Sequence, residues 1–284
     1  MSEGNIVNKT YPGIKNAIIL CLILLGLQIG VWLIFWLIAG IFGIDIDTES
    51  LLYEIGSLLI NLLIFGFVIF IVYKKSHKKF DEVFVFNDVS PNLWIAITVF
   101  MCGFVILSSE VGNVIIYFLP MSEFFEKMFE TTLDSKYIFI SVLSVAIVPA
   151  FVEEMLFRGV ILNGFKENYS HKKAIIVSSL LFGIVHVNPW QFVTASLLGI
   201  VSAWVCLKIK SLSISIYMHL FNNTAAVLAM KTRDIIPIKG FNAVSSEQAF
   251  QPLWFDILGI VFASIGIILF LGGIEESKNA ESEP

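Results

Sequence analysis

Three short runs of polar residues interrupt apolar stretches of this sequence, and each holds groups that can transfer protons. The first run extends from Glu153 to Arg158, the second ends at His186, and the third contains His219 and Asn223. Ionisable groups inside membrane-spanning helices are costly and usually serve a function. The three runs together therefore form a candidate site for acid–base chemistry.

The first run presents two adjacent carboxylates that a helix would point in different directions. Glu154 and Arg158 are four residues apart and share a helix face, so we expect an ion pair between them. Glu153 lies about 100° around the helix axis and is free to serve a reacting group. The alternative is a wet, charged helix end, but the apolar run 159–162 continues beyond it.

The two histidines are informative mainly through their predicted depth. Each could be a hydrogen-bonding core residue when considered alone. In a predicted helical hairpin, however, Glu153 lies 16 residues before Tyr169 and His186 lies 17 after it. Both would then be about 20 Å below one surface, with His219 and Asn223 about 12 to 18 Å deep in a later helix. Matching depths favour one shared cavity over independent structural residues.

The elements that must position these residues are membrane helices. Hydrophobic residues make up 57% of the 284-residue chain and charged residues only 14%, against roughly 25% charged in soluble domains. We predict an all-α, polytopic membrane protein with a single domain over residues 1–284 and a catalytic core at about 135–230. About 20 apolar residues cross a bilayer, which gives eight predicted spans at 14–43, 51–73, 93–118, 137–165, 173–188, 190–207, 211–230 and 253–273.

Basic residues predict the orientation of these helices. Twelve lysines fall near the termini and in the turns on the same side, against five basic residues in the opposite loops. Because cytoplasmic loops are enriched in Lys and Arg, we predict that both termini lie in the cytoplasm, at a prokaryotic plasma membrane. The net charge of −5 gives no sign of nucleic-acid binding.

Two other groups of residues require an interpretation. Glu110 lies deep in the third predicted helix, where it could line the cavity or pair with Arg158. Cys21, Cys102 and Cys206 lie in apolar runs without a Cys-x-x-Cys pair, which predicts buried hydrophobic residues rather than a disulfide framework or a zinc site.

The three runs, taken in order, resemble the CAAX prenyl protease and bacteriocin-processing (CPBP, or Abi) family, which includes the Ras-converting CAAX endopeptidase. The pattern is Glu-Glu-x-x-x-Arg at 153–158, Phe-x-x-x-His at 182–186 and His-x-x-x-Asn at 219–223. The resemblance implies an eight-helix intramembrane endopeptidase with a conical cavity open to the cytoplasm. It also implies that Glu153, aided by His186, activates water, and that His219 and Asn223 stabilise the oxyanion. Glu154, Arg158 and Phe182 would support the site.

A zinc site is the competing chemistry. Glu153, His186 and His219 would supply two imidazoles and one carboxylate and leave a position open, as catalytic zinc requires. The chain has no His-Glu-x-x-His motif, and the resemblance favours glutamate catalysis without a cofactor. No serine or cysteine occupies a matching place in the motifs, so we expect no covalent intermediate.

Three functions fit these residues. The first is an endopeptidase that cuts a membrane-associated or lipidated peptide or protein, in contact with membrane lipids. The alternative is a non-catalytic membrane protein for bacteriocin self-immunity or peptide binding. The third, a transporter that uses the buried groups as a proton relay, is disfavoured because no inverted repeat is visible.

Overall fold

The computed structural model describes residues 10–47, 50–133, 136–243 and 249–282, and this part of the chain is helical throughout, without named strands. The elements in chain order are α1 (Ile14–Phe42), α2 (Leu51–Ser76), α3 (Phe80–Val83), α4 (Pro91–Phe118), α5 (Glu123–Leu133), α6 (Ile138–Ser141), a first π-helical segment (Val142–Ile147), α7 (Val148–Glu154), a second π-helical segment (Met155–Leu162), α8 (Asn163–Asn168), α9 (His171–Ile184), α10 (Pro189–Ile209), α11 (Leu212–Lys231) and α12 (Leu253–Ser282).

Six stretches of the described chain are long and apolar enough to cross a membrane, and they confirm a polytopic all-α membrane protein. They are α1, α2, α4, the continuous run Ile138–Asn168, α10 and the first 24 residues of α12. The two remaining predicted spans are α9, which has only 14 residues, and α11, which has 20 but is less apolar. Because neither helix is among the six stretches, the total of eight spans stays a prediction. His186 follows α9, and α11 carries His219 and Asn223.

The predicted starts of the second, third and fifth spans lie within two residues of the observed starts of α2, α4 and α9, each of which follows a serine cap. The hydroxyl oxygens of Ser50, Ser90 and Ser170 accept hydrogen bonds from backbone N–H groups in the first turns of α2, α4 and α9. The predicted end of the fifth span at residue 188 is wrong, since α9 ends at Ile184. Val187 there has a left-handed φ of 52°, and Asn188 caps α10 by accepting from the N–H groups of Trp190 and Gln191.

Close helix contacts depend on glycine at two positions. A Cβ atom on Gly103 would lie 2.3 Å from the backbone nitrogen of Ala263, so α4 and α12 touch backbone to backbone. A Cβ on Gly183 would lie 2.6 Å from the carbonyl oxygen of Phe192, which brings α9 equally close to α10. Small residues allow membrane helices to pack in this way. The second contact fixes the helix that leads into His186.

The bundle has two distinct ends. At the end that holds the start of α1, which we call the terminal end, the backbone N–H of Ile14 donates to the hydroxyl of Tyr169, and Phe86 pairs with Ser211. At the other end, which we call the cavity end, Trp190 donates to the carbonyl oxygen of Leu119. The connections between helices therefore lie at these two ends, one at each side of the membrane.

Two features of the architecture lie outside the sequence predictions. The amphipathic helix α5 was not predicted, and it lies in the connection between α4 and α6 at the cavity end. The predicted fourth span, 137–165, contains two π-helical segments on either side of α7. Such segments occur often at functional sites, and these two flank Glu153 and Glu154.

Candidate active site

One cavity of about 550 Å³ brings together the polar residues that the sequence singled out. Glu153, Phe182, His186, His219 and Asn223 all line it. Glu153 comes from α7, His186 from the turn after α9, and His219 and Asn223 from α11. A volume of this size falls within the range of ligand pockets, about 300–1,000 Å³. The depth argument therefore led to the right grouping, whereas the chemical roles of these residues stay predictions.

Glu153 presents an unused hydrogen-bonding atom to this cavity. Its Oε2 is buried and has no hydrogen-bond partner among the described residues. Buried polar atoms are nearly always paired, so an exception calls for an explanation such as a bound water or a catalytic role. The cavity is large enough for water molecules. An unpaired carboxylate oxygen beside it can therefore bind a water molecule or take up a proton.

Glu154, its neighbour, is fully buried and is bonded through one oxygen, Oε1, while its Oε2 has no hydrogen-bond partner among the described residues. Its Oε1 lies 2.9 Å from Nη1 of Arg158 and 3.1 Å from Nδ1 of His219. Arg158 is 2% exposed, and its Nη2 donates to Oγ of Ser202 at 2.6 Å. The predicted ion pair between Glu154 and Arg158 is therefore present. The two carboxylates of the motif are separated as their helical spacing indicates, one toward the cavity and one into a closed network.

Phe182 lies at the centre of the site. Its ring is edge-on to His186 at 5.2 Å and to His219 at 5.5 Å between ring centroids. The guanidinium carbon of Arg158 lies 4.5 Å from the same ring, a cation–π distance. Only 1% of Phe182 is exposed. Its aromatic ring thus holds both histidines in place and shields the ion pair from the cavity.

His186 is oriented by a break in the helix. The backbone N–H of His186 donates to Gly183 rather than to Phe182, as α9 tightens into a turn. The carbonyl oxygen of Phe182 is thereby freed, and it lies 2.9 Å from Nδ1 of His186. With Nδ1–H as the donor, Nε2 is left as the acceptor nitrogen of the neutral ring. The early end of α9, which the sequence did not predict, is what sets this tautomer.

Asn223 is positioned by a proline on another helix. Pro149 has no N–H to give to the carbonyl oxygen four residues earlier, which is that of Val145. Nδ2 of Asn223 donates to this oxygen at 2.9 Å, while its Oδ1 accepts from Nδ2 of Asn222 at 3.0 Å. One N–H of the Asn223 amide is therefore used in positioning and the second has no bond among the described contacts.

Glu110, whose role the sequence left open, belongs to a different network. Its Oε2 accepts from Nδ2 of Asn113 at 2.8 Å and from the backbone N–H of Gln251 at 3.0 Å. Asn113 also donates to the carbonyl oxygen of Gly240. Arg158 is paired with Glu154 instead. Glu110 therefore holds the connection between α11 and α12 against α4, beside the cavity.

The question of zinc stays open at this site, because the Nδ1 contacts of both histidines leave Nε2 of each ring available. Within the described ranges, no group of three or more His, Cys, Asp and Glu side chains is placed to hold a metal ion. His219 directs Nδ1 to Glu154 and His186 directs Nδ1 to a backbone carbonyl. The three cysteines are unpaired and distributed over α1, α4 and α10.

Several residues of the site carried no recognisable signal in the sequence. Arg158 donates to Ser202, and Asn223 donates to the carbonyl oxygen of Val145 on another helix. Such pairs cannot be read from the spacing of residues along the chain. Gln191, Asn113 and Asn242 add polar groups to the cavity wall. The position of Pro149 inside an apolar helix was the one visible clue, because an interior proline frees a carbonyl oxygen.

Fold and site together define a class: a polytopic α-helical membrane protein with a glutamate- and histidine-lined cavity inside the bundle. Comparison with known proteins shows what part of the chain is similar to. The family model described as type II CAAX prenyl endopeptidase Rce1-like matches residues 135–225, which confirms the resemblance seen in the three motifs.

A curated bacterial protein is also similar to part of this chain. The chain is 28% identical over 103 residues to the "Putative membrane peptidase YdiL" of Bacillus subtilis strain 168. That match spans 36% of this chain and 41% of the relative's length. No solved structure matches the chain. The family and this relative support a membrane peptidase of the CAAX type in general.

Proposed function

We propose that the chain is an intramembrane endopeptidase in which Glu153 and His186 activate a water molecule for attack on a peptide carbonyl. One observation carries the proposal. Glu153 has a buried, unpaired carboxylate oxygen in a cavity that it shares with His186, His219 and Asn223. The substrate is a peptide segment of a membrane-associated or lipidated peptide or protein.

Water activation is the first step. The carboxylate of Glu153, assisted by Nε2 of His186, takes a proton as the water oxygen bonds to the carbonyl carbon. The proton then passes to the amide nitrogen, the C–N bond breaks, and an amine and a carboxylate leave. Positioned proton transfer of this kind contributes about 10²–10⁴-fold to a rate. No covalent bond to the enzyme is formed.

Oxyanion stabilisation falls to α11. The second N–H of Asn223 and Nε2–H of His219 are the donors toward the developing negative charge. Donation from both ring nitrogens of His219 requires the protonated imidazole. Glu154 is 3.1 Å from Nδ1 of that ring and supplies the compensating negative charge. Arg158 in turn holds Glu154 in place at 2.9 Å.

A cleavage assay tests the proposal. Wild type, Glu153→Gln and His186→Ala are purified in detergent and presented with a fluorogenic peptide library that includes prenylated C-termini. Glu275→Gln, an exposed carboxylate at the far end of α12, is the matched control. We expect cleavage by wild type and Glu275→Gln and its loss in the other two. Equal cleavage by all four would contradict the roles assigned to Glu153 and His186, and cleavage by none of them would leave the peptide-binding function.

Metal dependence is tested on the same active preparation. The proposal assigns every proton transfer to side chains, so we expect a chelator to leave the cleavage rate unchanged. Loss of activity with the chelator, followed by recovery on adding zinc, would instead support Glu153, His186 and His219 as ligands.

A further inference from the structure

The mouth of the active-site cavity lies at the cavity end of the bundle, away from the chain termini. The lining residues in loops and helix ends all belong to that end; they are Met121, Leu133, Trp190, Gln191, Phe241 and Asn242. The α4 residues that line the cavity fall between Val105 and Ile116, in the second half of that helix. The site is therefore reached from the side where α4 ends and α10 begins.

The floor of the cavity closes the route to the terminal end. The fully buried Glu154 and the 2%-exposed Arg158 form an ion pair beneath Phe182. On the other side of Arg158 lies a separate cavity of about 290 Å³, which Lys166, His171 and Lys210 line. The catalytic candidates Glu153, His186 and His219 are not among its lining residues. A substrate at the terminal end thus meets Arg158 rather than the site.

Charge distinguishes the two ends. The described basic residues of the connections at the terminal end are Lys74, Lys75, Lys78, Lys79, Lys166, Lys172, Lys173, Lys208 and Lys210. The cavity end has Lys127, Lys136, Lys231, Arg233 and Lys239, and Arg233 is ion-paired with Glu130 at 2.8 Å. Acidic groups occur at both ends, for example Asp45 and Asp234 at the cavity end and Asp81 and Asp88 at the terminal end, so the count of basic residues is what separates the two. Basic connections stay in the cytoplasm, so the terminal end is the cytoplasmic one.

From these observations we propose that the active-site cavity opens at the outer face of the membrane and takes extracytoplasmic peptide segments as substrates. The inference rests on the proposed function for its substrate and on geometry and charge for its direction. Cytoplasmic termini and a cavity open to the cytoplasm were both predicted from the sequence, but this bundle places the termini and the mouth at opposite ends. The charge distribution decides in favour of cytoplasmic termini.

The consequence for the substrate is specific. The scissile bond lies in a segment that is exposed beyond the outer face or just within it, as in a secreted peptide or the outer juxtamembrane segment of an anchored one. A bond near a cytoplasmic C-terminus would lie on the wrong side of the ion pair between Glu154 and Arg158.

Cysteine labelling tests the direction without any need for activity. Asp234→Cys lies after α11 at the cavity end, Asp88→Cys lies before α4 at the terminal end, and both native residues are exposed. Ala229→Cys lies in the cavity wall. Sealed right-side-out membrane vesicles that carry the full chain are treated with a membrane-impermeant maleimide. Labelling is measured over that of the native protein, whose three cysteines lie within helices.

We expect Asp234→Cys and Ala229→Cys to be labelled in sealed vesicles, and Asp88→Cys only after permeabilisation. The reverse pattern would overturn the proposal, because the cavity end would then be cytoplasmic. Labelling of Ala229→Cys together with Asp88→Cys rather than with Asp234→Cys would overturn it as well. An unreactive Ala229→Cys beside a labelled Asp234→Cys would also do so, since the cavity would not open outward.

A second arm separates this inference from the proposed function. A cleaved peptide from the fluorogenic library is supplied either outside or inside the same vesicles, with Glu153→Gln vesicles as the control. We expect cleavage that depends on Glu153 only for the external peptide. If labelling is as expected but wild type cleaves no library peptide, in detergent or on either side of the vesicles, the peptidase assignment fails and the orientation stands. If only the internal peptide is cleaved, the peptidase assignment stands and the outward opening fails.

Discussion

Two layers of polar groups lie next to each other in the bundle, and adjacent residues of one helix supply them. The upper layer, Glu153 with His186 and Asn223, faces the cavity and keeps an unpaired carboxylate oxygen. The lower layer, Glu154 with Arg158 and Ser202, is buried and bonded across helices. His219 belongs to both, since it lines the cavity and contacts Glu154.

The difference shows how one helix can supply a carboxylate that faces the cavity, Glu153, and a carboxylate that holds neighbouring side chains in place, Glu154. A buried charge without a partner is strongly destabilising, whereas a paired one is tolerated. The lower layer therefore pairs its charges and can hold His219 at a defined angle. Each layer has one unpaired carboxylate oxygen, Oε2 of Glu153 and Oε2 of Glu154. Only Glu153 lines the cavity, where a reacting group can take up the unused hydrogen bond. Variants of the two layers should consequently separate activity from stability.

The largest expected effect on activity comes from Glu153→Gln. It keeps the size of the side chain and removes the proton acceptor, so we expect the cleavage rate to fall by about 10²–10⁴-fold. Because Oε2 of Glu153 has no partner to lose, the thermal midpoint in detergent should not fall. A matching fall in both quantities would mean that Glu153 belongs to the structural layer.

Arg158→Met should chiefly reduce stability. It removes the guanidinium from the buried carboxylate of Glu154 and leaves His219 as its remaining ring contact, at an expected cost of up to about 3–5 kcal/mol in the free energy of unfolding. The double variant Glu154→Gln with Arg158→Met removes both charges and should recover part of that loss. Chemical denaturation in detergent measures the two values. A double variant less stable than the single one would show that the ion pair is not the source of the cost.

A smaller loss of stability is expected from Ser202→Ala. Oγ of Ser202 accepts from the buried Arg158 at 2.6 Å, and hydrogen bonds to charged groups contribute about 1.5–3 kcal/mol. Ser196 is the matched control, since it is also buried on α10 but its Oγ has no hydrogen-bond partner. Ser196→Ala should leave the unfolding free energy close to that of wild type. Equal losses in the two variants would refute a specific role of Ser202.

Phe182→Leu tests the boundary between the layers, and we expect its smallest but most specific effect in the turnover rate. It removes edge-on ring contacts to both histidines, and such aromatic pairs contribute about 0.5–1.5 kcal/mol each beyond burial. The orientation of His186 and His219 should loosen, so we expect kcat to fall while KM changes little. A change confined to KM would assign Phe182 to substrate binding instead.

The sequence alone was sufficient for the fold class and for the grouping of the candidate site. Apolar runs of spanning length identified the membrane helices, and four-residue spacing paired Glu154 with Arg158 and separated Glu153 from them. Equal distances from a hairpin turn placed Glu153 and His186 at one depth. These features depend on local geometry and on chain length, which are properties of the sequence itself.

Tertiary structure decided what depends on contacts between distant segments. The N–H of Ile14 meets the hydroxyl of Tyr169 at the terminal end, while Trp190 and Phe241 line the mouth of the cavity at the other. The bond from Asn223 to the carbonyl oxygen of Val145 likewise arises only once the helices are assembled. The direction in which the cavity opens belongs to this second group, because spacing along a helix gives the depth of a residue but not the end of the bundle from which it is reached.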